Sequence, residues 1–183
     1  MKPLALLERL ARTLNSLSEW TGRVIAWLTL CMVLITFGIV VLRYGFGIGS
    51  IAAQESVTFL HALVFLLGAA YTLKHDGHVR VDIFYRDYSP RRQASIDLFG
   101  ALFLLTPVCV FILLSSLDYV SAAWELREGS RETAGLPGVY LLKTAIPVMA
   151  VLMLLQGLAQ AARAVLILAG GTVSAEEPAP REL

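Results

Sequence analysis

Four stretches of this chain, residues 24–42, 56–73, 98–117 and 144–162, contain no Asp, Glu, Lys or Arg, and nothing else in the sequence restricts the fold as much. Each comes close to the ~20 residues that a helix needs to cross a bilayer. Hydrocarbon offers no partner for backbone N–H and C=O groups, so a run of this kind must close its hydrogen bonds on itself as a helix. The sequence therefore predicts an all-α integral membrane protein with four transmembrane helices. Composition agrees, because 57% of the 183 residues are hydrophobic and only 16% are charged, where soluble domains carry roughly a quarter charged.

The segments between the runs set the domain organisation. Residues 1–19 form a two-faced pattern, with Leu4, Leu7, Leu10, Ala11, Leu14 and Leu17 on one half of a helical wheel. Lys2, Glu8, Arg9, Arg12, Asn15 and Ser16 fall on the other half. This N-terminal amphipathic helix is too interrupted to span, and it is expected to lie in the headgroup plane as an interfacial arm. The first apolar run is longer than the ~7–15 residues of a cleavable leader, so it reads as a retained span. Residues 20–169 make the transmembrane domain, and the tail 170–183 lacks apolar periodicity and is expected to be disordered.

Arg43 to Gly49 (RYGFGIG) breaks the first helix with glycines at alternate positions, and Gln54-Glu55 opens the second. In the stretch from His78 to Arg92, Val79, Val81, Ile83 and Tyr85 alternate with Arg80, Asp82 and Arg86, which predicts a short extended or interfacial segment. Ser89-Pro90 then supplies a helix start, and Pro107 predicts a kink in the third span. Asp118 to Gly138 is the long polar connection, its first half expected to continue as helix.

Orientation follows from the distribution of Lys and Arg. The arm, the central connection and the tail together hold eleven, against four (Arg43, Arg127, Arg131 and Lys143) on the opposite side. The positive side is cytoplasmic. Both termini are thus expected inside a bacterial inner membrane, with the Asp118–Gly138 connection facing the periplasm.

The chain offers no HExxH, no GxSxG and no phosphate-cradling glycine loop, and no nucleic-acid motif. No catalytic, cofactor-binding or metal-ligating residues are expected; His75, Asp76 and His78 are too few ligands on a flexible turn. Cys31 and Cys109 are expected to serve as small buried hydrophobes, and His61, with no acid in its own helix, to hydrogen-bond to a neighbour. A charge at the centre of a span costs about 2.5–3.5 kcal/mol on insertion scales, so proteins that move ions or acids keep one only where function demands it. These spans have none, nor the paired broken helices of transporter binding sites. The sequence thus points to a membrane protein that holds something else in place.

Arg43-Tyr44-x-Phe46 after the first span, Glu55 opening the second, Gly68-Ala69-Ala70, His78-Val79-Arg80-Val81-Asp82, Gly135-Leu136-Pro137 and Gln156-Gly157 together resemble the four-helix small permease subunit of tripartite ATP-independent periplasmic (TRAP) transporters. The resemblance covers roughly Trp20 to Leu168. Where that family commonly has a Trp and two adjacent acids, this chain has Ile51-Ala52-Ala53-Gln54-Glu55. The run from Gly135 to Thr144 is similar to the mannitol/chloroaromatic branch, whose members take up oxo acids.

The resemblance implies a large permease subunit that binds sodium and carries an organic acid, and a periplasmic binding protein that delivers it. This chain would be a cofactor-free scaffold in the lipid bilayer beside the large subunit. Arg80, Asp82 and Asp97 are then expected to form an ionic cluster at the cytoplasmic rim, with Arg43 and Glu55 as further rim contacts to the large subunit. Trp124, Glu125, Arg127 and Glu128 are the expected docking residues for the binding protein. The competing expectation is a self-sufficient channel or secondary carrier using His61 and Gln156.

Overall fold

The computed structural model describes residues 2–79 and 83–170, with side chains from Leu4 onward. Arg80, Asp82 and the tail beyond Gly170 lie outside the described residues. The chain is all-helical among them: α1 (Lys2–Phe46), α2 (Ile51–Lys74), α3 (Pro90–Glu125) and α4 (Val139–Leu168). Each contains one of the uncharged runs, so all four are long and apolar enough to cross a membrane.

The N-terminal stretch is helical as its periodicity predicts, but it is continuous with the first span instead of forming a separate arm. α1 has 45 residues, roughly 68 Å of helix at 1.5 Å per residue. Nothing between Leu17 and Val24 stops it: Gly22, the one weak helix former there, is held against the Tyr71 ring. The helix ends where Gly47 takes a left-handed φ of 68°, a conformation glycine adopts at no steric cost. Ser50 then caps α2, its hydroxyl accepting the Ala53 N–H at 3.2 Å.

In α3 the expected kink is replaced by a π-helical segment, Gly100–Leu105. Pro107 has no N–H, and its ring would press on the carbonyl four residues back. Widening the preceding turn relieves this: the Thr106 N–H bonds to the Ala101 carbonyl, and its hydroxyl reaches the same oxygen at 2.7 Å. α3 begins at Ser89-Pro90 as predicted and stays helical to Glu125. Of the segment expected to be extended or interfacial, residues 80–82 lie outside the described residues and 83–87 form turns.

Helix packing centres on α4, which contacts α1, α2 and α3; α1 also packs on α2, whereas among the described residues α3 packs on α4 alone. The cause lies in α4's small residues. Ala145, Ala150, Gly157, Ala159, Ala161, Ala162 and Ala164 are buried, and small side chains let backbones approach where lipid supplies no hydrophobic drive. At Gly157 an added Cβ would come within 2.6 Å of Leu105 Cδ2 on the π-segment. Cys109 is buried as expected, but Cys31 points outward from α1. The result is an open array that encloses little, with polar groups gathered at its two ends.

Candidate functional site

One end, the tail rim, carries the start of α1, the α2–α3 connection and the end of α4. Here α1 approaches α4 through three buried polar residues, Asn15, Ser18 and Gln156, joined by half-buried Arg163. Gln156, fully buried, accepts the Ser18 hydroxyl at 2.7 Å and donates its amide to Asn15 Oδ1 at 3.2 Å. Arg163 donates to the same Asn15 oxygen at 3.4 Å. One turn along, Gln160 donates to the Leu73 carbonyl at 3.1 Å, adding a side-chain bond to an oxygen at the end of α2 that also accepts the Asp76 N–H.

Glu19 completes this rim. Lys74 Nζ lies 2.9 Å and His75 Nε2 3.0 Å from its Oε2, with Arg23 Nε 3.0 Å from Oε1. The Lys74 and His75 hydrogen bonds, assisted by Arg23, hold the Glu19 carboxyl down at about 2, below its ordinary 4.5, against the opposing effect of burial. Glu19 precedes the first uncharged run and so sits at the rim. A carboxylate lowered by folding stabilises the folded state above its ordinary pKa, and that contribution disappears as pH falls from 4.5 toward 2. Thermal unfolding in detergent across that window should therefore depend less on pH in Glu19→Gln than in the unsubstituted chain. Equal pH dependence in the two would remove Glu19 from the account.

The rest of the tail rim ties α3 down. Tyr85 donates its hydroxyl to Asp97 Oδ2 at 2.7 Å, Arg91 donates to the Leu168 carbonyl at 3.1 Å, and the Arg92 guanidinium lies 3.8 Å over the Tyr88 ring. A cleft of about 440 Å³ opens between the ends of α2, α3 and α4, lined in part by Lys74, Asp97, Leu105, Gln160 and Arg163.

At the opposite end, the loop rim, the 126–138 connection is fastened to α2 by Glu55. The Ser130 hydroxyl donates to Glu55 Oε1 and the Leu136 N–H to Oε2 at 2.6 Å. These two bonds, Ser130 first, hold the Glu55 carboxyl below its ordinary value. Gly135 allows the approach, since a Cβ there would fall 2.4 Å from Ser130 Oγ and 2.7 Å from Glu55 Oε2. Glu55→Ala should free the loop and speed tryptic cleavage at its two exposed arginines, Arg127 and Arg131, several-fold, because charge-assisted hydrogen bonds to backbone are among the stronger polar contacts. An unchanged cleavage rate would show that Glu55 does not fasten it.

Beside the loop, Trp124 donates its indole N–H to Thr144 at 2.9 Å and packs edge-on against Tyr140 with ring centroids 4.7 Å apart. Arg127 lies 5.7 and 5.6 Å from those two rings. Glu128 pairs with Lys143, whose ammonium stands 4.0 Å over the Tyr119 ring.

The structure thus divides the predicted residues between two ends of the molecule. Asp97 lies at the tail rim, joined to Tyr85, while its expected partners Arg80 and Asp82 lie outside the described residues. Arg43, exposed in the last turn of α1, and Glu55 belong to the loop rim. Trp124, Glu125 and Arg127 are exposed there and share that rim with Glu55; Glu128 is half-buried on Lys143. His61 faces outward whereas Gln156 is enclosed between α1 and α4, so the two do not line one passage. The sequence reading missed Glu19, Asn15 and Ser18 as structural groups. The signal available was spacing: Asn15, Ser18 and Gly22 recur at three and four residues, as Gln156, Gln160 and Arg163 do.

Four helices apolar and long enough to cross a membrane, with no charge in their central runs, define a polytopic membrane protein. The family of DctQ components of tripartite ATP-independent periplasmic transporters matches residues 32–166, most of the chain, and the protein belongs to that family. Its members are transporter subunits, not enzymes. The chain is also similar to the C4-dicarboxylate TRAP transporter small permease protein DctQ of Vibrio cholerae serotype O1, with 27% identity over 111 residues. That match takes in 61% of this chain and 46% of the Vibrio protein, so less than half of the relative's length is covered. No solved structure matches.

Proposed function

We propose that this chain is the fixed companion of a large permease subunit, widening its footprint so that a moving transport domain works against something rigid. The large subunit would couple uptake of a carboxylate to sodium, and a periplasmic protein would deliver the acid. The observation that carries this reading is the state of the spans. In the most apolar window of each helix only 6, 6, 11 and 22% of residues are fully buried within the chain, and large apolar side chains such as Trp27, Phe37, Phe65, Phe103 and Phe111 stand outward, which leaves apolar surface for lipid or for a partner. The four runs carry no charged side chain, and among the described residues α3 packs on α4 and not on α1 or α2, an arrangement that suits a scaffold better than an acid pathway. Family membership supports the same partnership, and the name of the Vibrio relative suggests a C4-dicarboxylate or similar organic acid as cargo.

Co-expression of the tagged chain with its cognate large permease tests the partnership: the two should elute together from detergent, and elution of the chain alone would reject it. The exposed loop-rim residues Trp124, Glu125 and Arg127 suit docking of the binding protein. Glu125→Arg should reduce uptake several-fold and weaken its dependence on salt, as removal of a complementary charge does at a docking surface. Unaltered uptake and salt dependence would assign docking elsewhere.

A further inference from the structure

α2 exposes Ile51, Gln54, Thr58, His61 and Phe65, and no other residue of the helix is equally open. They advance by three and four alternately, so they form a single stripe along one side. Gly68 continues it at the next step, and a Cβ built there would meet nothing within 4 Å. His61 stands about 15 Å along the helix from Ile51, inside the uncharged run 56–73 and at hydrocarbon depth.

Its imidazole makes no hydrogen bond to any described residue. Some exposed hydroxyls in the spans return to their own helix, Thr36 to the Met32 carbonyl at 2.7 Å and Ser115 to the Ile112 carbonyl at 3.3 Å, while exposed Thr29 on α1 bonds to no described residue. Only His61 among the exposed side chains of the uncharged runs is basic. His61 has no such return. Hydrocarbon cannot satisfy it either, and intramembrane ionisable side chains almost always face protein or water. The outward faces of α1 and α3 differ, presenting Trp27, Leu34 and Phe37, or Phe103, Phe111 and Leu114, which lipid solvates well.

We propose that the Gln54–Thr58–His61–Phe65 stripe is the surface on which a transmembrane helix of the larger permease packs. A polar group of that helix would hydrogen-bond the His61 imidazole, and Gly68 would give its backbone room to approach. The proposal rests on the partnership put forward above and adds which face carries it. The occupant follows from the family, whose DctQ components belong to tripartite transporters; a second copy, whose imidazole could also pair with its duplicate, is an outcome of the test below.

The test is photo-crosslinking in the full chain co-expressed with its cognate large permease. The crosslinker p-benzoylphenylalanine is placed at Thr58, His61 or Phe65, and for comparison at Phe37 on α1 or Phe111 on α3. Stripe positions should give roughly tenfold more crosslinked large subunit than the comparison positions, and His61→Leu should lower co-purification several-fold while the chain still accumulates in the membrane. Strongest crosslinking at Phe37 or Phe111 would overturn the face and leave the partnership standing. A product the size of two copies of this chain would replace the permease with a homodimer. Absence of crosslinks at every position, together with failure to co-purify, would remove the partnership itself.

Discussion

Gly22→Val is expected to push α1 away from α2 and to leave much less folded chain in the membrane. A Cβ at Gly22 would stand 2.1 Å from Tyr71 Cδ2 and 2.4 Å from Cγ, the base of the ring and not its movable end. That ring is itself packed 4.4 Å from the His75 imidazole, which is engaged by Glu19, so it cannot swing aside without disturbing the rim cluster. Overpacking costs about 1–3 kcal/mol, and so short a contact places this site at the upper end. A loss of about 3 kcal/mol corresponds to a fall of roughly 6–12 °C in the unfolding midpoint for a chain of this length. Gly38→Val serves as the control, since an added Cβ there meets nothing within 4 Å. Equal losses from the two substitutions would mean that the α1–α2 contact at Gly22 is not what limits stability.

Gln156→Leu is the second large effect. Leucine fills similar space but strands the Ser18 hydroxyl and leaves Asn15 with only its 3.4 Å contact to Arg163. Each buried polar group left without a partner costs about 1–3 kcal/mol, so a total of about 2–4 kcal/mol is expected on the same basis. The loss should be non-additive with Ser18→Ala, because the two residues share one hydrogen bond. A double mutant whose loss equals the sum of the single losses would separate Ser18 from Gln156.

These two sites also show where sequence reasoning stops. Exclusion of Asp, Glu, Lys and Arg from four runs is a bulk signal set by the solvent, and it located every span. The helix start at Ser89-Pro90 was legible for a local reason, as was the break around Gly47. Pairings between distant segments were not. Asn15 falls on the polar half of the helical wheel whether that half meets headgroups or Gln156, which lies 141 residues away. Periodicity therefore assigns a face without naming what covers it, and the arm that suits an interface is instead packed onto α4. Glu55 and the Gly135-Leu136-Pro137 turn could each be picked out from the sequence. That they touch follows only once the α3–α4 connection folds back across α2. Pro107 marks a disturbance in the sequence but does not say that the helix answers with a π-segment, which sets Leu105 against Gly157 on α4.

Flux through reconstituted liposomes addresses the central claim most directly. The purified chain is incorporated alone, with its cognate large permease, and with the permease plus the binding protein, and sodium-driven accumulation of a labelled carboxylate is measured. The account predicts no accumulation with the chain alone and accumulation when all three proteins are present. Uptake or leak of the acid through liposomes holding only this chain would contradict it.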